Sequence, residues 1–141
     1  MVSLQVCELT LYGIPALSYS SNTLTKSRDA GTDLVKQIMQ CEKYHVVFVD
    51  PEHLKMKEWR RIANLQIFQK NLLFTCAEEA HLIDQWGAGF RKDFGFIGHY
   101  FCSRFTSKIS IFALTVTLEP GKRTLSVCES LGFTEGSFHL I

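Results

Sequence analysis

The chain has 141 residues, of which 46% are hydrophobic and 21% are charged, and its formal net charge at pH 7 is +1. These values are typical of a globular protein that is long enough to bury a core, and they predict one domain. The near-neutral charge gives no domain-wide electrostatic footprint for nucleic acid. Any DNA contact must therefore come from a local patch.

Cysteine usage and hydropathy indicate an intracellular protein. The five cysteines include no CxxC pair, and the five histidines show no paired-ligand spacing, so we expect reduced thiols and no structural zinc. No apolar run reaches the length of a membrane span, and the N-terminus lacks the pattern of a secretory signal. We expect a nuclear or cytoplasmic location and no membrane partner.

Short apolar segments alternate with segments of helical spacing along the chain. The predicted strands are residues 15–19, 45–49, 72–76 and 109–114, and the predicted helices are residues 25–41, 56–63, 95–105 and 120–131. This alternation predicts an α/β fold with a mainly parallel sheet flanked by helices.

Each predicted strand is followed by polar residues, at positions 20–22, 50–52, 78–79 and 115–117. Parallel sheets bind ligands beyond the carboxyl ends of their strands. The sequence therefore places a candidate site at this edge of the sheet.

The acidic pair Glu78-Glu79 and the aromatic residues behind it are the most informative feature. In nucleotide-hydrolysing α/β folds, one such carboxylate holds Mg²⁺ through water and the next orients the attacking water. Trp86, Phe90 and Arg91 follow on a glycine-containing stretch that we interpret as a loop able to stack on unpaired bases. The alternative is that the acidic pair is a solvated helix N-terminus and the rings belong to the core.

Residues 78–94 read EEAHLIDQWGAGFRKDF. This segment resembles the DEAH box and aromatic-rich loop of RecQ-family DNA helicases, usually DEAHCISQWGHDFRPDY. Residues 11–16, 47–54 and 112–118 resemble the family's LxxLGIPA stretch, its SPERL motif and its motif III (ALTATA). The resemblance implies that residues 1–141 form the first RecA-like, ATP-binding domain of a P-loop NTPase fold, truncated at its N-terminus.

The same resemblance implies residue roles. Glu79 would polarise the hydrolytic water, Glu78 would face Mg²⁺ through water, and His81 would couple nucleotide state to DNA. Thr115 and Thr117 would transmit that signal between domains. The implied nucleic-acid contacts are Gln85, Trp86, Phe90, Arg91, Ser21, Asn22 and Asp50.

The function implied by the family is 3′-to-5′ unwinding of DNA in repair and recombination in the nucleus. ATP and Mg²⁺ would be the cofactors. Single-stranded or forked DNA and a second RecA-like domain, which this chain lacks, would be the partners.

Several positions depart from the family pattern. Glu78 stands where the family has Asp, which moves the carboxylate outward by about 1.5 Å. Ala88-Gly89 replaces His-Asp, and Val116 replaces Ala. Asp50 replaces Ser and adds a negative charge where phosphate is expected.

The chain contains no G-x-x-x-x-G-K-S/T phosphate loop. The nearest segment, beginning at Gly121, follows a proline and is predicted to cap a helix. An arginine finger would also come from the second domain, and such fingers contribute roughly 10³–10⁵ in rate. We therefore expect no ATPase or unwinding activity from this chain alone.

Three hypotheses follow from these observations. The first is that the chain is a fragment of a RecQ-like helicase. The second is that it is a degenerate remnant that binds single-stranded DNA or a protein partner. The third is an unrelated α/β domain with a chance acidic pair.

Overall fold

A computed structural model describes residues 2–86, 96–98, 100, 109–117, 121–133, 136 and 138–139, with only the backbone described at 2–3 and 84–86. The chain forms two compact units, Met1–Asn71 and Leu72–Ile141, called here the first and second units. None of the helices in these described ranges has the length and apolar character needed to cross a membrane.

The first unit contains one parallel strand pair and five α-helices among its described residues. Its elements are α1 (Val2–Leu11), β1 (Ala16–Tyr19), α2 (Ser21–Asp29), α3 (Leu34–Met39), β2 (Val46–Val49), a 3₁₀ turn (Pro51–His53), α4 (Lys57–Ala63) and α5 (Gln66–Asn71). β1 and β2 pair from Ala16↔Val46 to Tyr19↔Val49. The two strands therefore end side by side.

The second unit repeats this arrangement with a second parallel strand pair. Its elements are β3 (Phe74–Ala77), α6 (His81–Trp86), β4 (Ser110–Ala113) and α7 (Lys122–Ser130). β3 and β4 pair from Phe74↔Ser110 to Ala77↔Ala113. Residues 96–98 and 100, between α6 and β4, are also helical.

The structure confirms the mixed α/β class, the four predicted strands and the parallel pairing. In the described part of the chain the strands form two separate two-stranded sheets rather than one hydrogen-bonded sheet. The four strands were predicted correctly because each lies in a short, mainly apolar run with at least one β-branched or aromatic residue, and such residues favour extended, half-buried backbone.

The helix predicted over residues 25–41 is wrong as a single element, because the structure contains α2 and α3 instead. Gly31 adopts a left-handed φ of +66°, which L-residues rarely adopt, and this ends the helical path. Asp33 then caps α3 by accepting from the Lys36 N–H at 2.9 Å. α3 buries two apolar residues one helical turn apart, Leu34 and Ile38.

The remaining helix predictions agree with the structure where it describes them. α4 matches the predicted charged helix, and it buries Trp59 and Ile62 while its charged residues face water. Gly121 is the N-cap of α7, as predicted. Most of the helix predicted over residues 95–105 lies outside the described residues.

Aromatic rings pack together in one part of the core of the first unit. Tyr19 packs on Trp59 with ring centroids 5.1 Å apart, and Trp59 meets Phe68 edge-to-face at 6.1 Å. These contacts hold α4 and α5 together and against the end of β1. The end of β1, which the polar residues follow, is therefore packed against α4.

Candidate functional site

In the second unit, backbone hydrogen bonds tie together the two segments that leave the sheet. The Leu114 N–H donates to the Ala77 carbonyl at 2.9 Å, and the Ala80 N–H donates to the Leu114 carbonyl at 3.0 Å. Because the parallel register ends at Ala77 and Ala113, the acidic pair lies beside residues 114–117. Two of the predicted polar clusters are thus neighbours.

His81 lies at the centre of this arrangement. Its Nδ1 is 3.0 Å from the Thr115 Oγ1 and 3.4 Å from the Glu79 Oε2. The His81 side chain is 14% exposed and that of Glu79 is 40% exposed, so the imidazole is mostly enclosed while the carboxylate reaches water. When Nδ1 carries a proton, it can donate to Thr115 and face the Glu79 carboxylate.

The Thr115 hydroxyl also accepts a hydrogen bond from the backbone two residues further along the chain. The Thr117 backbone N–H donates to the Thr115 Oγ1 at 3.4 Å. The structure therefore brings four of the sequence-predicted residues into one cluster: Glu79, His81, Thr115 and Thr117.

The backbone at Glu79 is unusual. Its φ of +51° is left-handed, which costs an L-residue about 1–2 kcal/mol relative to helical backbone. This conformation turns the chain from β3 into α6, where the Leu82 N–H donates to the Glu79 carbonyl at 2.9 Å. Strain of this kind is often retained at functional sites, which makes Glu79 a candidate on geometry as well as on sequence.

The charge of Glu78 affects the pKa of a cysteine on the strand before it. Burial, and secondarily the Glu78 carboxylate, raise the pKa of the Cys76 thiol above its usual value. Glu78 directly follows β3, so its charge lies at the carboxyl end of that strand.

The cofactors implied by the resemblance fit these residues only in part. Mg²⁺ in nucleotide sites uses one or two carboxylates together with phosphate oxygens and waters. Glu78 can supply one carboxylate, but no group of three or more His, Cys, Asp or Glu residues in the described ranges could hold a metal. With no phosphate loop in the sequence, the chain's own residues do not make a complete Mg²⁺–ATP site.

The first unit brings the other two polar clusters together. Ser21 and Asn22 are exposed in the first turn of α2, and Asp50 begins the 3₁₀ turn after β2. The Asp50 N–H donates to the Tyr19 carbonyl at 3.4 Å. All three predicted DNA-backbone residues therefore lie at the carboxyl end of one strand pair.

His53 was not singled out by the sequence and proves to belong to this cluster. It is 2% exposed, its Nε2 is 3.3 Å from the Ser21 Oγ, and its ring meets Tyr19 edge-to-face at 5.3 Å. Its contact with Ser21 spans 32 positions and exists only because β1 and β2 pair in parallel. A single sequence carries no signal for such a contact.

Gln85 and Trp86, predicted on a loop, lie instead in the last turn of α6. Residues 81–86 contain no glycine or proline that would interrupt a helix. Phe90 and Arg91, the other members of the predicted DNA-sensing loop, lie outside the described residues.

The alternative interpretation of the acidic pair also remains compatible with the structure. Glu78 and Glu79 lie just before α6, separated from it by Ala80, and carboxylates near a helix N-terminus interact favourably with the helix dipole. Comparison of the sequence with protein-family models and with curated proteins gives no match.

Proposed function

We propose that the chain is the greater part of the first RecA-like domain of a RecQ-like, ATP-dependent DNA helicase. In this proposal it contacts single-stranded DNA and links that contact to the nucleotide site. The observation that supports it best is the Glu79–His81–Thr115 contact, because it joins the segment resembling the DEAH box to the segment resembling motif III.

The chemistry of this contact suits a coupling element. The His81 Nδ1 lies within reach of Glu79 in one segment and Thr115 in the other, and when it carries a proton it faces the Glu79 carboxylate. A change in the charge around Glu79 would alter the orientation of the imidazole. The hydrogen bond to Thr115 would change with it, which would carry the state of one segment to the other.

The DNA-binding part of the proposal can be tested on the 141-residue chain. Fluorescence anisotropy with a labelled oligothymidine should show binding that weakens as salt rises. Arg91→Glu should weaken this binding about tenfold or more, because it reverses a charge in the predicted DNA-sensing segment. No binding by the wild-type chain would contradict the proposal.

Arg61→Glu is the matched control. It makes the same charge reversal on the exposed face of α4, outside both clusters. Equal losses in the two variants would mean that only net charge matters and that Arg91 has no particular role.

The motor part of the proposal requires a phosphate loop, which these 141 residues do not contain. An immunoblot of source-cell extract, with an antibody raised against residues 55–61, tests whether a longer polypeptide supplies it. A band far above 16.1 kDa supports the motor. In that longer protein, Glu79→Gln should abolish ATP hydrolysis.

The second candidate is a non-catalytic remnant that binds single-stranded DNA or a protein partner. The lack of a phosphate loop, the longer Glu78 side chain and the negative charge of Asp50 favour it. A single band at 16.1 kDa, together with DNA binding that Glu79→Gln leaves unchanged, would support this candidate.

A further inference from the structure

The buried imidazole of His53 makes one hydrogen bond and leaves one nitrogen unused. Nε2 is 3.3 Å from the Ser21 Oγ, whereas the buried Nδ1 has no hydrogen-bond partner among the described residues. Tyr19 packs against the ring edge-to-face and limits its rotation. Within the described part of the chain, the contact with Ser21 is therefore the polar interaction that the His53 side chain makes.

The unused nitrogen indicates which tautomer is present. A neutral imidazole carries one N–H donor and one lone-pair acceptor. If Nδ1 held the proton, a buried N–H would have no acceptor, and orphaned buried donors are rarer than under-used acceptors. The Nε2–H tautomer avoids this and donates to the Ser21 Oγ.

This tautomer fixes the polarity of the Ser21 hydroxyl. Because the Ser21 oxygen accepts from His53, its own hydrogen is directed away from the ring. Ser21 is exposed in the first turn of α2, whose first backbone N–H groups lack partners within the helix. The hydroxyl is thus presented to the solvent side as a donor.

We propose that His53 is a positioning residue that holds the Ser21 hydroxyl as a hydrogen-bond donor to a backbone phosphate of bound single-stranded nucleic acid. The inference rests on the proposed function, which assigns Ser21 to the DNA backbone. Phosphodiester oxygens accept hydrogen bonds and cannot donate them, so a hydroxyl fixed as a donor has the required polarity.

The tautomer can be measured without any ligand. Long-range ¹H–¹⁵N correlation spectra of the full 141-residue chain, assigned with the His53→Gln variant, should show His53 protonated at Nε2 and not at Nδ1. An Nδ1–H tautomer would overturn the inference, whatever the DNA-binding results are.

The functional role is tested by a double-mutant cycle on oligothymidine binding. Ser21→Ala should weaken binding about tenfold, the value expected for a hydrogen bond to a charged acceptor. His53→Phe keeps an aromatic ring beside Tyr19 but removes the donor, and should weaken binding about threefold. His53→Gln, whose amide can replace the donor, should lie closer to wild type.

The cycle separates positioning from a general structural effect. In the Ser21→Ala background, His53→Phe should cause no further loss, because the hydroxyl that it orients is gone. An equal loss in both backgrounds would overturn the inference. Tyr19→Phe is the control, since it keeps the ring against His53 and should leave binding unchanged.

An error in the proposed function can be told apart from an error in the role given to His53. If the wild-type chain does not bind oligothymidine, the assignment of Ser21 to DNA is wrong and the phosphate role falls with it. The spectra still decide whether His53 presents Ser21 as a donor.

Discussion

At the scale of single residues, the Thr115 hydroxyl makes a hydrogen bond to a side chain 34 positions away in the chain. It contacts the His81 Nδ1 and accepts from the Thr117 N–H. Both interactions depend on the oxygen atom and not on the shape of the side chain. Valine has the shape of threonine without the hydroxyl, so this position allows a clean substitution.

We predict that Thr115→Val lowers the free energy of unfolding by about 0.5–1.5 kcal/mol, the net value of a hydrogen bond. Thr117→Val should change it far less, because Thr117 contributes its backbone N–H, which the substitution keeps. Urea denaturation of the two variants checks this. Equal losses would mean that the His81–Thr115 contact is not formed in solution.

The Cys76 thiol reports on the charge of Glu78. Its pKa is raised by burial first and by Glu78 second, whereas the pKa of Cys128 is raised by burial alone. The thiolate is the form that reacts with iodoacetamide. Removing the Glu78 charge should therefore affect one cysteine and not the other.

We predict that Glu78→Gln lowers the pKa of Cys76, so that its alkylation begins at a lower pH, while Cys128 is unchanged. Pulse alkylation between pH 7 and 10, followed by peptide mass spectrometry, measures both sites in one sample. A parallel shift at Cys128 would indicate a general loosening of the fold instead of a local charge effect.

At the scale of elements, features that depend on local sequence patterns were predicted better than features that depend on long-range contacts. Apolar runs located all four strands, and the polar residues after them do meet in pairs at the ends of β1–β2 and β3–β4. The break at Gly31 was missed because the prediction rested on the apolar spacing from Leu34 onward, and the polar residues 25–33 were joined to it without apolar spacing of their own. The His53–Ser21 contact could not be predicted from the sequence because it depends on strand pairing.

Gly98 illustrates a packing constraint that the sequence alone does not reveal. A Cβ at this position would lie 1.6 Å from the Ser130 carbonyl oxygen at the end of α7, a distance that no real contact allows. The neighbouring atoms are backbone and cannot rotate away. The helical segment around Gly98 can approach α7 only because this residue has no side chain.

Gly98→Ala is therefore expected to destabilise the protein by about 3 kcal/mol or more, the upper range for overpacking. Gly31→Ala is the comparison, since it has open space around it and a φ of +66°, and should cost about 1 kcal/mol in backbone strain. Thermal denaturation by circular dichroism ranks the two. A smaller loss for Gly98→Ala would show that this packing is not maintained in solution.

At the scale of the whole molecule, the predicted site residues divide between the two units. Ser21, Asn22 and Asp50 belong to the first unit, and the acidic pair and the motif III-like segment belong to the second. The sequence resemblance treats them as one domain, and that remains a prediction. Within each unit, the parallel strand pair explains why the predicted residues meet.

The 141-residue chain lacks a part that ATP hydrolysis requires. Polarising a water next to a phosphate accelerates hydrolysis only if the phosphates are held in place, and no segment of the sequence can form the phosphate loop. We therefore expect no phosphate release above background from the 141-residue chain with Mg²⁺, ATP and oligothymidine, and no effect of ATP on its DNA affinity. A continuous phosphate-release assay measures the first and anisotropy the second. Glu79→Gln is the control for contaminants, because release that persists in this variant does not come from the site. Release that Glu79→Gln removes would mean that the cluster around His81 binds and hydrolyses ATP without a phosphate loop.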